Sequence, residues 1–182
     1  MEKSNIDEKI KLLTGSGMWH TQEVEGLPSV HLSDGPHGLR KQEEKERQNN
    51  VSLVSTCYPT ASALACSWDV TAAERLGRAV AKEAWNADVA VLLGPGINMK
   101  RSPLCGRNFE YFSEDPFLAG RLGAAYVSAA QGEDVAVSLK HFAANNQETN
   151  RQTANSQIDE RALREIYLSA FEYVVKTARP AT

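Results

Sequence analysis

Val137-Ser138-Leu139-Lys140-His141-Phe142-Ala143-Ala144-Asn145-Asn146 changes character within two residues. Val135, Val137 and Leu139 alternate as they do in a β-strand; a cation, an imidazole and a polar loop with two asparagines come next. A buried strand that delivers polar side chains at its C-terminal end is how a (β/α)8 barrel builds a site. The arrangement recurs twice upstream. Residues 27–32 (LPSVHL) run into Ser33-Asp34-Gly35-Pro36-His37-Gly38-Leu39-Arg40. Residues 88–93 (DVAVLL) run into Gly94-Pro95-Gly96-Ile97-Asn98-Met99, and the loop continues to Gly106-Arg107-Asn108-Phe109-Glu110. In this reading three strand ends converge on one pocket.

Helical patterns separate the strands. Residues 5–13 place Ile6, Ile10 and Leu13 on one face, with Asp7 and Glu8 in the first turn. Residues 70–86 carry a Thr71/Glu74 capping-box pattern and the apolar stripe Ala72, Leu76, Ala79, Val80 and Ala84. Asp115 and Pro116 open the next helix as cap and first residue. Leu118, Leu122, Ala125, Tyr126 and Ala129 line it, and Gly132 closes it. The last helix opens at Asp159, with Leu163, Ile166, Tyr167, Ala170, Val174 and Val175 on one side. Residues 57–65 read as a short strand or turn, and residues 41–50 as a solvated mixed-charge excursion. Long βα and short αβ connections predict an α/β fold with parallel strands. Only three or four strands fit into the 182 residues, whereas a closed (β/α)8 barrel takes about 250. Residues 1–182 are therefore expected to be the N-terminal portion of a TIM-type barrel, incomplete at its C-terminal strands.

Composition excludes several classes. A net charge of −3 gives no basic field for nucleic acid. No apolar run reaches the ~20 residues of a membrane span. The polar start Met1-Glu2-Lys3-Ser4-Asn5 shows no secretory signal. Cys57, Cys66 and Cys105 are read as reduced thiols of a cytoplasmic protein. The four histidines lack zinc-ligand spacing, and Gly94-Pro95-Gly96 lacks the Lys-Ser/Thr of a phosphate loop.

The candidate residues each admit two readings. Asp34 is a ligand-facing carboxylate or the pivot of an Asx-type turn. Arg40 and Arg107 are forked donors to a ligand or surface ion-pair partners. Lys140 and His141 serve a site at the strand end or simply reach solvent there. A triad of Ser33 and Asp34 with His31 or His37 is excluded because adjacent residues rarely meet in triad geometry. Glu110 and Glu114 are further carboxylates; Glu114 before Asp115-Pro116 reads as helix-start chemistry. Arg151, Glu148 and Asn145 lie beyond Lys140-His141 on the same loop.

These segments together resemble the N-terminal domain of glycoside hydrolase family 3, on its β-glucosidase side. The segments are Ser33 to Arg40, Gly106-Arg107-Asn108-Phe109-Glu110-Tyr111-Phe112-Ser113-Glu114-Asp115-Pro116, and Lys140-His141-Phe142 through Asn150-Arg151. The resemblance implies that Asp34, Arg40, Arg107, Lys140, His141 and Arg151 surround the sugar in subsite −1. Asp34, Lys140 and His141 would bind ring hydroxyls and Arg107 would hydrogen-bond sugar hydroxyls. Arg40 and Arg151 would pair with carboxylates and hold the site in shape. Phe142-Ala143-Ala144 stands where the N-acetylglucosaminidase branch has Pro-Gly-His-Gly, which points away from that branch. The family's nucleophile is an aspartate in a Ser-Asp-Trp-like motif and its acid/base is usually a glutamate of the next domain. Trp19, Trp68 and Trp85 do not follow an aspartate, so both catalytic carboxylates are expected beyond Thr182.

The expected activity of the parent protein is retaining hydrolysis of terminal β-D-glucosyl residues from a β-glucoside or short β-gluco-oligosaccharide, without metal or organic cofactor. A β-xylosidase or broader β-glycosidase, or a non-catalytic sugar-binding or scaffold remnant, are the alternatives. The 182 residues alone are expected to be inactive and to self-associate through an open barrel edge. Successive strand residues point to opposite faces, so bringing Lys140 and His141 to one sugar requires the strand to end at Lys140 or the peptide to depart from regular trans geometry.

Overall fold

The computed structural model describes residues 6–42 and 51–182, and most of the mixed-charge run lies outside them. Three parallel strands form the sheet in the order β1-β2-β3: β1 is Leu32–Asp34, β2 is Val91–Gly96 and β3 is Ala136–Lys140. Leu32 pairs with Val91, Leu92 with Val137, and Gly96 with Lys140, with a register irregularity between Leu93 and Gly96. The Gly94–Pro95 and Lys140–His141 peptides are both cis. β3 ends at Lys140, as the two-faced geometry of that dipeptide required.

The helices are α1 (Ile6–Lys11), α2 (Ala61–Cys66), α3 (Val70–Asn86), α4 (Pro116–Gln131), α5 (Glu160–Ala162) and α6 (Ser169–Ala178). α4 is the centre of the packing. Leu118, Ala119, Gly120, Leu122 to Val127, Ala129 and Ala130 bury it on nearly every side, as expected of a helix that is apolar all round. It lies between α3 and α6 and touches β2 and β3. Asp115 caps it by accepting from the Phe117 N–H, with Pro116 in its first turn and Gly132 at its end.

Four local expectations are corrected. Residues 27–32 are not the first strand. His31 and His20 form an antiparallel bridge, the Thr21 N–H donates to Val30, and the Leu32 N–H donates to Trp19. This returning arm covers the outer edge at Leu32, so β1 begins there and Asp34 is its last residue. Residues 57–65 are not a strand: Thr60 caps α2 through the Ala63 N–H, and Ala61, Leu64 and Ala65 turn inward. α3 is capped by Asp69, not Thr71; the Asp69 carboxylate accepts the Thr71 N–H at 2.8 Å. Its buried stripe is Ala73, Gly77, Val80, Ala81 and Ala84, rotated by one residue at its start, with Ala72 and Leu76 at the margin.

The last helix is interrupted by a π turn, Leu163–Tyr167, closed by the Leu168 N–H to Leu163 O. The extra residue of an i→i+5 turn rotates the remainder of the helix. Phe171 joins Ala170 and Val174 in the core, and Val175 turns outward. Beyond α6, the Thr182 N–H donates to Val137 O and Thr182 O accepts from Leu139 N–H. That parallel-type pair sits on the outer edge of β3, where the alternation calls for a fourth strand.

Gly77 of α3 faces Tyr126 of α4. A Cβ there would meet the Tyr126 carbonyl oxygen and lie 3.0 Å from its Cα. On an exposed helix, Gly→Ala stabilises by about 1 kcal/mol. At Gly77 the sign reverses: Gly77→Ala is expected to destabilise the chain by roughly 1–3 kcal/mol through overpacking, measured as a lowered urea midpoint. An unchanged or raised midpoint would show that α3 and α4 are not this close.

Candidate active site

The three strand ends deliver their polar residues to one place. Asp34 closes β1, and its backbone carbonyl accepts the Arg40 N–H at 2.8 Å, folding 34–40 into a turn. Gly38 sits in that turn at φ +127°, a conformation that side chains rarely adopt. Lys140 closes β3 and donates to Asp34 at 2.8 Å, across 106 residues of sequence. The carboxylate of Glu110 lies 3.5 Å from the same ammonium and also accepts from Arg107 Nε. Only 3% of the Glu110 side chain is exposed, so two cations compensate a carboxylate nearly sealed from water.

Arg107 reaches on to His141, with 2.6 Å between its terminal nitrogen and Nε2. A guanidinium only donates, so His141 accepts at Nε2 and carries its proton at Nδ1. That N–H then donates to the Tyr111 hydroxyl at 3.0 Å, and Asn145 donates to the same oxygen at 2.9 Å. Asn98 clamps the His141 backbone from both sides: its side-chain oxygen accepts the His141 N–H at 2.7 Å and its amide donates to the carbonyl at 2.9 Å. Burial, with the positive charges of Arg107 and Lys140 behind it, holds the imidazole down to about 3. The hydrogen-bond geometry and the electrostatics agree on a neutral ring. Burial also raises the Tyr111 phenol well above its usual value, keeping it protonated.

Asp34, Arg40, Arg107, Lys140 and Arg151 line one open cleft of about 280 Å³, together with Pro36, Phe109, Glu110 and Glu148. Arg151 pairs with Glu148 at 3.0 Å. Arg40 differs from expectation: its side chain is exposed and makes no ion pair among the described residues. His141 stands behind Arg107 with both ring nitrogens engaged, rather than on the cleft wall. Among the described residues no group of three or more His, Cys, Asp or Glu could hold a metal ion.

The profile of the glycosyl hydrolase family 3 N-terminal domain matches residues 36–180. The chain belongs to glycosyl hydrolase family 3. Thermostable beta-glucosidase B of Acetivibrio thermocellus is 52% identical over 99% of this chain and 24% of its own length. The exo-alpha-(1->6)-L-arabinopyranosidase of Bifidobacterium longum is 49% identical over 97% of this chain and 24% of its own. Among solved structures, the GH3 beta-glucosidase of Bifidobacterium adolescentis superposes with a TM-score of 0.89 at 49% identity, over 97% of this chain and 25% of that one. The beta-glucosidase of Kluyveromyces marxianus in complex with glucose gives 0.91 at 44% identity, over 98% and 21%. The chain thus spans about a quarter of the length of these relatives. Its three parallel strands and flanking helices are part of the family's TIM-barrel-like N-terminal domain.

Sequence reasoning undervalued Glu110 and passed over Asn98 and Tyr111. For Glu110 a signal existed: a carboxylate three residues after Arg107 in a stretch otherwise ending in Tyr-Phe. Asn98 and Tyr111 gave none, because their partners lie 43 and 30 residues away.

The neutral imidazole has a consequence for stability. The folded value of about 3 lies below the ordinary 6.5, so between those limits the unfolded chain holds a proton that the folded chain does not. Stability therefore falls as the pH drops through that window. Nitrogen-detected NMR is expected to show His141 still as the Nδ1–H tautomer at pH 5, and His141→Asn is expected to flatten part of the acid limb of the stability curve. An imidazolium signal at pH 5 would overturn this assignment.

Proposed function

We propose that the chain is the N-terminal part of a retaining β-glucosidase-like hydrolase and supplies the cradle for the terminal glucosyl ring in subsite −1. The observation that carries this reading is the coupling of Asp34, Lys140, Glu110, Arg107 and His141 in one chain of charged contacts at three strand ends. A pyranose presents hydroxyls around its rim, and ionised donors and acceptors on rigid strand ends can meet them with strong, directional bonds. In this reading Asp34 and Lys140 take ring hydroxyls, Arg107 reaches them with its remaining N–H groups, and His141 fixes Arg107. Arg40 at the exposed side and Arg151 through Glu148 complete the wall.

Retaining hydrolysis needs two carboxyl groups about 5 Å apart across the glycosidic bond. Asp34 and Glu110 are each already engaged by Lys140, and Glu110 is buried. The nucleophile and the acid/base are therefore assigned to the strands and domain beyond Thr182, and residues 1–182 to a partial barrel domain. Loss of the catalytic pair leaves hydroxyl binding with little transition-state stabilisation. The relatives named exo-alpha-(1->6)-L-arabinopyranosidase favour a second reading, in which the cradle takes a pyranose of that type. No helix among the described residues is long and apolar enough to cross a membrane. The unpaired Cys57, Cys66 and Cys105 suit a reducing compartment such as the cytoplasm.

Two outcomes test the reading. The 182-residue chain is expected not to turn over an aryl β-glucoside, while a chain extended through the remaining barrel and the next domain does. In the extended chain Lys140→Ala is expected to lower kcat/KM by roughly 10- to 100-fold, the range of one charged hydrogen bond. Turnover by the 182 residues that is lost on Asp34→Ala would make Asp34 catalytic and refute the assignment. The outer edge of β3, which only Thr182 covers among the described residues, and exposed apolar groups such as Phe142 and Leu104 also make the 182-residue chain prone to associate. Light scattering is expected to show oligomers; a monodisperse monomer with a cooperative melt would count against a partial barrel.

A further inference from the structure

We propose that the hydroxyl of Tyr111 is a positioning group for the sugar: by holding His141 and Asn145 at once it aligns Arg107 and Arg151, two cradle arginines that come from separate loops; this rests on the sugar-binding reading above. Tyr111 is fully buried. Its backbone forms a parallel bridge to Gly96, the β2 residue paired with Lys140. Its ring lies so close to Gly96 that a Cβ there would stand 2.8 Å from Cδ1 and 2.9 Å from Cε1. The ring is thus wedged against a strand end, and its hydroxyl inherits a fixed place. A buried tyrosine needs a partner for its polar tip; this one has two.

The two partners serve different arms of the cleft. The Nδ1–H of His141 donates to the hydroxyl at 3.0 Å, and the opposite nitrogen of that ring receives Arg107. Asn145 donates to the same oxygen at 2.9 Å. Asn145 belongs to the stretch that carries Glu148 and Arg151, and residues 141–159 contain no helix or strand. Ladder hydrogen bonds therefore do not hold this stretch; side chains must. Within it the Arg151 N–H donates to the Glu148 carbonyl at 3.2 Å and the two side chains pair at 3.0 Å, so they form one turn. Asn146 adds a tie to the Met99 carbonyl, but only the Asn145 tie shares its anchor with His141. Arg107 and Arg151 both line the cleft. One oxygen thus governs where two guanidinium groups stand relative to Asp34 and Lys140. Removing it leaves the ring packing in place and loosens both arms, which separates positioning from packing.

The experiment is steady-state kinetics with an aryl β-glucoside, on the chain extended through the remaining barrel and the next domain. Tyr111→Phe keeps the wedged ring and removes one oxygen. It is expected to raise KM by roughly 10-fold with kcat within about 2-fold, because the cradle holds the sugar in the ground state and the transition state alike. A variant that merely folds less well shows the opposite split, a lower apparent kcat at unchanged KM. Asn145→Ala cuts one arm only. It is expected to raise KM by about 3-fold alone and by less than about 2-fold in the Tyr111→Phe background, where its bond is already gone. An unchanged KM in Tyr111→Phe, or an Asn145→Ala effect that persists in full in that background, overturns the positioning role. Either result with Lys140→Ala still impaired leaves the cradle standing. A Lys140→Ala variant with wild-type kinetics overturns the cradle reading, and the positioning role with it.

Discussion

Glu110 carries a carboxylate that is almost sealed from water between the guanidinium of Arg107 and the ammonium of Lys140. A lone charge in that position would be strongly destabilising, and so would either cation without it. The three groups come from the long loop after β2 and from the end of β3, and Lys140 extends the chain to Asp34 at the end of β1. Each strand end is thus correctly placed only when the others are. The charge compensation that lets these residues leave water also gives the cleft its shape. That is how a cluster so costly to bury can be kept at the strand ends.

The hydrophobic part of the structure serves this alignment. α4 is buried on nearly all sides and forms the common partner of α3, α6, β2 and β3. Small residues let the helices approach closely: Gly77 admits Tyr126, while Gly120 and Gly123 lie against Tyr173, Ala170 and Val174. A core at organic-crystal density transmits position with little slack. The strand ends therefore inherit a fixed separation from packing on the far side of the sheet.

The polar network is fixed in the same way, by a lack of alternatives. A guanidinium cannot accept, so Arg107 dictates which nitrogen of His141 is bare; the other nitrogen then has a single use, toward Tyr111. Asn98 occupies both backbone groups of His141, at the point where β3 stops and no strand partner remains. The result is a preorganised neutral imidazole that holds a charged donor at the cleft.

Much of this was legible in the residue pattern. The alternation at 88–93, 115–132 and 135–140 determined a parallel α/β arrangement, because burial period and cap chemistry are local properties. The abrupt change at Lys140-His141 located a strand end, and the motifs around Asp34, Arg107 and Arg151 determined the family. Other features are decided only in three dimensions. Whether Leu32 or Leu27 begins the first strand depends on Trp19 and His20 folding back over it. The π turn at Leu163–Tyr167 is a break that its residue pattern does not announce. The uses of Glu110, Asn98 and Tyr111, and the withdrawal of His141 behind Arg107, are settled by partners up to 43 residues away. Sequence spacing encodes which face of an element is apolar; it does not encode which buried charges must meet, because that depends on the cost of desolvating each one in the assembled fold.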